Sequence, residues 1–454
     1  MSVVNIRKFL GWTVLLLAFA GTAPAHVLGQ EIAPVLVAEN GDNSAATLKK
    51  HYVILVSLDG FRYDYAKKHD AKNLQALAAS GATAPDGMIP AYPSLTFPNH
   101  YTLATGLYPE HHGIVANSFY DPQRKAVYSL SNPATVTDGS WYGGIPLWVL
   151  AEQQGMRSAC LFWPGSEAEI QGSRPSYYLK YDEHLPNDLR VEQVLNWLRL
   201  PVERRPHLIT LYFSEVDHQG HEHGPDSPEV AAAVQVVDKE IGALEDGLKK
   251  LALPVDVIVV SDHGMAAVQG DWITLDQYFP DAGAFEKIVS SSLYAKSDAD
   301  AERAYEAMRG KSDKFEVYRR AQMPAGLHDS DNPRSGDPVI VTNGPYLVRF
   351  SARAASAPEH KQVGAHGFDP ARVPEMKASF FAAGPDIRAG ATVAPFENVD
   401  VYPLVAKLLG LDIAHLKTGA IDGDAEVLSG ILRDRAAGKR AAQTPSSRLR
   451  EAAH

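Results

Sequence analysis

Four times along the chain a continuous apolar run stops at an acidic or glycine-bearing turn. Tyr52–Leu58 runs into Asp59-Gly60, and Leu208–Phe213 leads to Glu215 and Asp217. Val255–Val260 runs into Ser261-Asp262-His263-Gly264, and residues 379–383 into Gly384-Pro385. Such runs suit strands covered on both faces, the condition of a parallel sheet. Helical patterns fall between them, over 73–80, 146–154, 192–198, 228–249 and Val401–Leu409. The alternation predicts an α/β fold: a doubly wound, mostly parallel sheet with helices on both faces.

Residues 267–362 break that rhythm. They hold a helical piece over 298–309 and a hairpin-like stretch over 339–350 with Asn343-Gly344 at its turn. They read as a small α+β insertion or cap within a catalytic domain spanning 49–433. A polar, Ala-rich lead-in covers 26–48, and the Ala-, Arg- and Ser-rich tail 434–454 has the composition of a disordered segment. Residues 1–25 read as a signal peptide: Arg7 and Lys8, an apolar run from Phe9 to Ala20, then Ala23-Pro24-Ala25 as the small-residue cleavage pattern. The run is short for a membrane span, and no other stretch approaches ~18 apolar residues, so the mature chain is expected to be exported and to hold no membrane.

Cys160 is the only cysteine and cannot form an internal disulfide. That favours a bacterial periplasmic or secreted protein over an animal ectoenzyme. Its apolar neighbours make it a buried packing residue rather than a nucleophile. The formal net charge of -11 excludes a stable nucleic-acid partner, since phosphate backbones demand clustered Lys and Arg. A nucleotide ligand would be a small one, held by metal rather than by a basic groove.

In open α/β sheets ligands bind outside the carboxyl ends of the strands. Asp59, Asp217, Asp262 and His263 each follow an apolar run there. Singly, each is explained as well by an ordinary turn. In 217–225, Asp217 and His221 stand four apart in what reads as a tight Gly-containing loop, with His218 and His223 as competing imidazoles. His366 sits between small residues in Gly364-Ala365-His366-Gly367-Phe368. Together these make three carboxylates and three imidazoles, three ligands for each of two divalent ions of zinc type. The stretch from Tyr92 to Gly106 reads as loop, helix and Gly stop, with Thr96 at the N-cap and Pro98 in the first turn. Capping alone explains most such threonines, but a helix N-terminus also favours an alkoxide and its phosphorylated form. Ser94 is the rival hydroxyl, and Arg62 is expected on the surface of the turn after Asp59.

Thr96-Phe97-Pro98-Asn99-His100-Tyr101, Phe162-Trp163-Pro164-Gly165-Ser166, Gly220-His221 with Gly224-Pro225, Ser261-Asp262-His263-Gly264-Met265 and Gly364-Ala365-His366-Gly367-Phe368 together resemble the nucleotide pyrophosphatase/phosphodiesterase family of the alkaline phosphatase superfamily. The resemblance runs from about Tyr52 to Leu411. Its animal members are Cys-rich and multi-domain, which this chain is not, and a bacterial type is therefore expected. Val216 and His218-Gln219 also depart from the residues familiar members carry around Asp217.

The resemblance implies an alkaline phosphatase-like fold and two Zn2+ per chain. One zinc is held by Asp217, His221 and His366, which selects His221 over His218 and His223. The other is held by Asp59, Asp262 and His263, with Thr96 as the ligand that becomes the nucleophile. Asn117 matches the residue that donates to a phosphate oxygen. A neutral donor suits the single charge of a diester better than a monoester dianion, which an arginine fork would grip. Phe97, Leu130 and Tyr181 or Tyr212 are implied to line a nucleotide slot. The expected reaction is hydrolysis of phosphate diesters and pyrophosphates through a phosphothreonine, releasing nucleoside 5′-monophosphates. Choline or phospholipid phosphodiesters, and phosphate monoesters, are the alternatives on the same fold.

Overall fold

The computed structural model describes residues 35–351 and 363–433. The expected signal peptide, the first part of the lead-in and the expected disordered tail lie outside the described residues. The strands of the main sheet are β1 (Leu36–Val37), β2 (Tyr52–Leu58), β3 (Ala82–Thr83), β4 (Ser158–Leu161), β5 (Tyr177–Leu179), β6 (Leu208–Phe213), β7 (Val255–Val260), β8 (Phe380–Ala383) and β9 (Ala391–Thr392). They form one nine-stranded sheet in the order β1-β5-β4-β6-β2-β7-β8-β3-β9. From β5 to β7 every pairing is parallel; β1 and β8 run antiparallel to their neighbours. The lead-in thus ends partly as an edge strand, Leu36 opposite Tyr178.

β2 lies in the middle, and every residue of it is buried. Its side chains alternate between two cores, as the strand period requires. Val53 and Leu55 face a cluster built with helices α2 (Thr96–Thr105), α3 (Leu147–Gln153) and α8 (Val401–Leu409). Ile54, Val56 and Leu58 face α1 (Lys72–Ser80), α4 (Asn187–Leu198) and α6 (Pro228–Leu251). The doubly wound, mostly parallel α/β architecture is therefore present, with helices on both faces. Cys160 is fully buried in β4 as a packing residue.

Residues 267–351 hold an antiparallel pair Phe285–Val289/Ser292–Ala295, helix α7 (Asp298–Met308) and a second pair Phe315–Tyr318/Val339–Thr342 around an apolar cluster of their own. The expected hairpin over 339–350 is not formed. Val339–Thr342 pairs backwards with Phe315–Tyr318, while Val348–Arg349 runs parallel to Ile273–Thr274. Asn343-Gly344 is a corner between two small sheets. No helix among the described residues is long and apolar enough to cross a membrane.

Candidate active site

The carboxyl ends of β2, β6 and β7 meet at one place because those strands are neighbours in register. β2 delivers Asp59, and Gly60 takes φ 66°, where a Cβ would stand 2.8 Å from the Asp217 Cα. β7 delivers Asp262 and His263, both fully buried. After β6 the chain forms helix α5, Glu215–His223, where a tight loop was expected. The helix puts Asp217 and His221 on one face at i and i+4, and leaves His218 and His223 exposed. Its Gly220 packs closely on Met265: a Cβ there would stand 2.8 Å from the Met265 terminal methyl. His366 follows Gly364–Ala365, which pairs antiparallel with Ala266–Ala267.

These six side chains form two groups whose ligand atoms lie close enough to hold a metal ion: Asp217, His221, His366 and Asp59, Asp262, His263. His221 Nε2 and His366 Nε2 stand 3.1 Å apart and each 3.5 Å from Asp217 Oδ1. His263 Nε2 lies 3.0 Å from Asp262 Oδ2 and 3.5 Å from Asp59 Oδ1. All three imidazoles are oriented alike. Nδ1 of His221, His366 and His263 meets the carbonyls of Gly364, Ser94 and Gly264 at 2.9 Å, leaving Nε2 as the inward atom. Asp59 Oδ1, Asp217 Oδ1 and Asp262 Oδ2 are buried and accept no hydrogen bond. Burial, then the charges of Asp262 and Asp217, push the Asp59 carboxyl well above the carboxylate range. Burial opposes the charge on Asp262, but His263 and His100 outweigh it and hold that carboxyl well below. Burial and the neighbouring His263 and His221 push His366 well down. Clustered carboxylates with unmet oxygens, set among three imidazoles that turn Nε2 inward, fit divalent cations. A third group, His51, Asp256 and Asp386, gathers at the opposite ends of the strands.

Thr96 is the first helical residue of α2, not its N-cap. Leu95 is the N-cap, with extended backbone (φ −110°, ψ 156°), and no side chain caps the helix. The Thr96 hydroxyl is thereby left for the site, 3.4 Å from His263 Nε2. Ser94 is no rival: fully buried, it donates to the Phe368 carbonyl at 2.7 Å and accepts from the Gly367 amide, bracing the His366 loop. Arg62 is not a surface residue either. It is buried, donating to Asp64 at 2.6 Å and pairing with Asp226.

Asn117 Oδ1 accepts the Phe97 amide at 2.9 Å, which fixes the side-chain flip and leaves Nδ2 as its donor beside Thr96. Leu130 is tied to the same place through its amide and the Asn117 carbonyl, 2.9 Å. The Phe97 ring is half-buried against the Tyr128 ring, while Leu130 and Tyr181 are exposed. Tyr212 packs edge-on to Tyr181, and its hydroxyl donates to Asp59 Oδ2 at 2.5 Å. Sequence reasoning missed His100 and Ser57. His100 is fully buried one turn after Thr96; its Nδ1 lies 2.8 Å from the Thr96 carbonyl and 3.2 Å from Asp262 Oδ2, and its Nε2 accepts from Ser57 Oγ at 2.8 Å. The available signal was a histidine at i+4 on a helix otherwise bound for the core.

Residues 53–369 match the family described as Type I phosphodiesterase / nucleotide pyrophosphatase. An uncharacterized pyrophosphatase/phosphodiesterase of Schizosaccharomyces pombe is 35% identical over 396 residues, 84% of this chain and 81% of that one. Ectonucleotide pyrophosphatase/phosphodiesterase family member 1 of Rattus norvegicus is 38% identical over 378 residues, and the match spans 40% of its length. Murine ectonucleotide pyrophosphatase/phosphodiesterase 5, solved as an inactive variant in complex with AMP, superposes with a TM-score of 0.76 at 30% identity, covering 85% of this chain and 100% of that one. On this evidence the chain is an enzyme that belongs to the nucleotide pyrophosphatase/phosphodiesterase family, with the alkaline phosphatase-like α/β fold.

Proposed function

We propose that the protein is a two-zinc hydrolase of nucleotide diesters and pyrophosphates that works through a phosphothreonine on Thr96 and releases nucleoside 5′-monophosphates. The observation that carries this reading is the uncapped Thr96 hydroxyl at the head of α2, against His263 and beside the Asn117 amide. Asp217, His221 and His366 would hold one zinc, and Asp59, Asp262 and His263 the other. When bound, the ions supply Lewis acidity that eases loss of the hydroxyl proton and offsets charge on the attacking and leaving oxygens.

The chain's own residues do the positioning. Thr96 Oγ1 forms a bond to phosphorus as the bond to the leaving oxygen breaks, and that oxygen keeps the electron pair. Water then takes the phosphoryl group and returns the hydroxyl to Thr96. The α2 N-terminus favours the negative charge that builds on the phosphoryl group. Asn117 Nδ2 donates to a non-bridging oxygen with a neutral group, which suits a diester monoanion. Arg62, three residues after Asp59, is engaged by Asp64 and Asp226 and is not free to fork a monoester there. Phe97, Leu130 and Tyr181 would take the base by stacking, with Tyr212 beneath them; stacking contributes about 1–3 kcal/mol per base and tolerates every base. The AMP complex of the murine relative supports a nucleotide substrate. Export to a bacterial periplasm or medium rests on the N-terminal run and the single cysteine.

Thr96→Ala tests the mechanism: turnover of an aryl nucleotide should fall at least ~10³-fold, the scale of losing a covalent nucleophile, while zinc stays near two per chain by elemental analysis. A variant that keeps substantial diesterase activity would refute it. A wild-type preference for choline phosphodiesters or for nucleoside monophosphates would overturn the substrate assignment alone.

A further inference from the structure

A cavity of about 690 Å³ joins the site to residues 272–350, within the ~300–1,000 Å³ range of small-molecule sites. Its lining holds His366 and Asn117 of the site together with Trp272, Arg349 and the turn at 290–292. Its lining includes none of Asp59, Asp262 and His263, and none of Phe97, Leu130, Tyr181 and Tyr212. The space is therefore separate from the aromatic slot and opens on the His366 group.

Arg349 is the only Arg or Lys among the described residues lining it. The parallel pairing of Thr274 with Arg349 seats its guanidinium over the Trp272 ring, 5.5 Å from Cζ to centroid. Trp272 is 44% exposed. Stacking alone would explain the pair, but it leaves a donor unused: Arg349 Nε is buried and has no hydrogen-bond partner. A buried donor left unmade is costly, so an acceptor is missing. The cavity's two carboxylates do not supply it. Asp369 is paired with Arg372 at 3.1 Å. Asp329 accepts from Ser335, and burial pushes its carboxyl up to about 7.

We propose that this cavity is a leaving-group subsite in which Arg349, held by Trp272, receives a phosphate of the departing half of a pyrophosphate substrate. The inference rests on the function proposed above and names its substrate class: leaving groups that carry their own phosphate, in preference to neutral aryl alcohols. As the bond from phosphorus to the leaving oxygen breaks, that oxygen takes the electron pair, and a phosphorylated leaving group departs with added charge. Arginine matches it with a bidentate fork. Inorganic pyrophosphate leaving a nucleoside triphosphate and a nucleotide leaving a dinucleoside pyrophosphate share this chemistry.

The test compares wild type and Arg349→Gln, as full chains, on the p-nitrophenyl ester of thymidine 5′-monophosphate, on ATP and on a dinucleoside pyrophosphate. The ratio of kcat/KM on ATP to that on the aryl ester should fall about tenfold or more, the scale of one charge-assisted hydrogen bond. The dinucleotide separates the sources: a matching fall extends the subsite to nucleotide leaving groups, and an unchanged ratio there overturns that extension. Calorimetric affinity for inorganic pyrophosphate should drop by a similar factor in Arg349→Gln and in Trp272→Ala, a readout independent of turnover. Equal losses on all three substrates, or an unaltered pyrophosphate affinity in both variants, overturn the subsite and leave the enzyme reading intact. A wild type inert on all three overturns that reading, and the subsite with it.

Discussion

Each inward imidazole of the site is aimed by a backbone carbonyl at its other nitrogen, and Asp59 and Asp262 are braced by side chains, Asp262 also by the Gly60 amide. Tyr212 holds Asp59, and His100 stands against Asp262 while Ser57 holds its far nitrogen. His100 thus links β2, the head of α2 and the turn after β7. It touches no substrate atom, so we treat it as a positioning residue. His100→Ala should cost about 1–3 kcal/mol of stability by leaving the buried Ser57 hydroxyl unpaired. It should also lower kcat more than it changes KM, with partial recovery in His100→Gln; denaturant unfolding and steady-state kinetics read the two effects. A loss of stability with kcat untouched would leave only a packing role. At this scale the sequence was legible where a residue ended an apolar run, as with Asp59, Asp262 and His263. His100 was not, because its partners Ser57 and Asp262 are remote in sequence, and Arg62 was not, because its burial comes from packing that no local pattern announces even though its main partner Asp64 is two residues away.

Among the elements, the four apolar runs were read as strands within a residue and the helices mostly at their cores, while the short edge strands β1, β3, β5 and β9 went unread. α5 was misread because Gly220 and two extra histidines resemble a loop, and the close packing of Gly220 on Met265 is a contact no local pattern announces. The Asn343-Gly344 hairpin failed for the opposite reason: a strong local turn signal was overruled by pairing with strands further back in the chain. α2 is fastened at its other end by His112, which is fully buried, accepts the Ile114 amide and contacts Thr102 Oγ1 at 3.0 Å. Burial pushes His112 down to about 3 from an ordinary 6.5. The unfolded chain takes this proton as pH falls below 6.5, and the folded chain refuses it until about 3. Its stabilisation is therefore whole above 6.5 and is lost as pH falls through that window; His207, pushed down to about 4, acts the same way. Thermal midpoints should decline from pH 7 to pH 4, and His112→Gln should show a shallower decline. Parallel slopes would assign the acid sensitivity elsewhere.

For the molecule as a whole, the order of strands was not readable, but its consequence was. Three neighbouring parallel strands gather their carboxyl ends wherever they stand in the sheet, so the site's position followed from the runs alone. Chelation should abolish turnover and zinc should restore it, followed by activity and elemental analysis; restoration by magnesium alone would contradict the imidazole-rich ligand sets. The two ligand groups, however, rest on different supports. Asp59, Asp262 and His263 hang from β2 and β7 in the middle of the sheet. Asp217, His221 and His366 hang from one short helix and a ribbon of two residues a side, pressed together where Gly364 has no Cβ to strike the Gly220 carbonyl. Opening of that ribbon would part His366 from His221 without breaking a pairing of the main sheet. Stripping should then be biphasic: one ion exchanges on the timescale of local opening, and the other waits for the sheet itself to come apart.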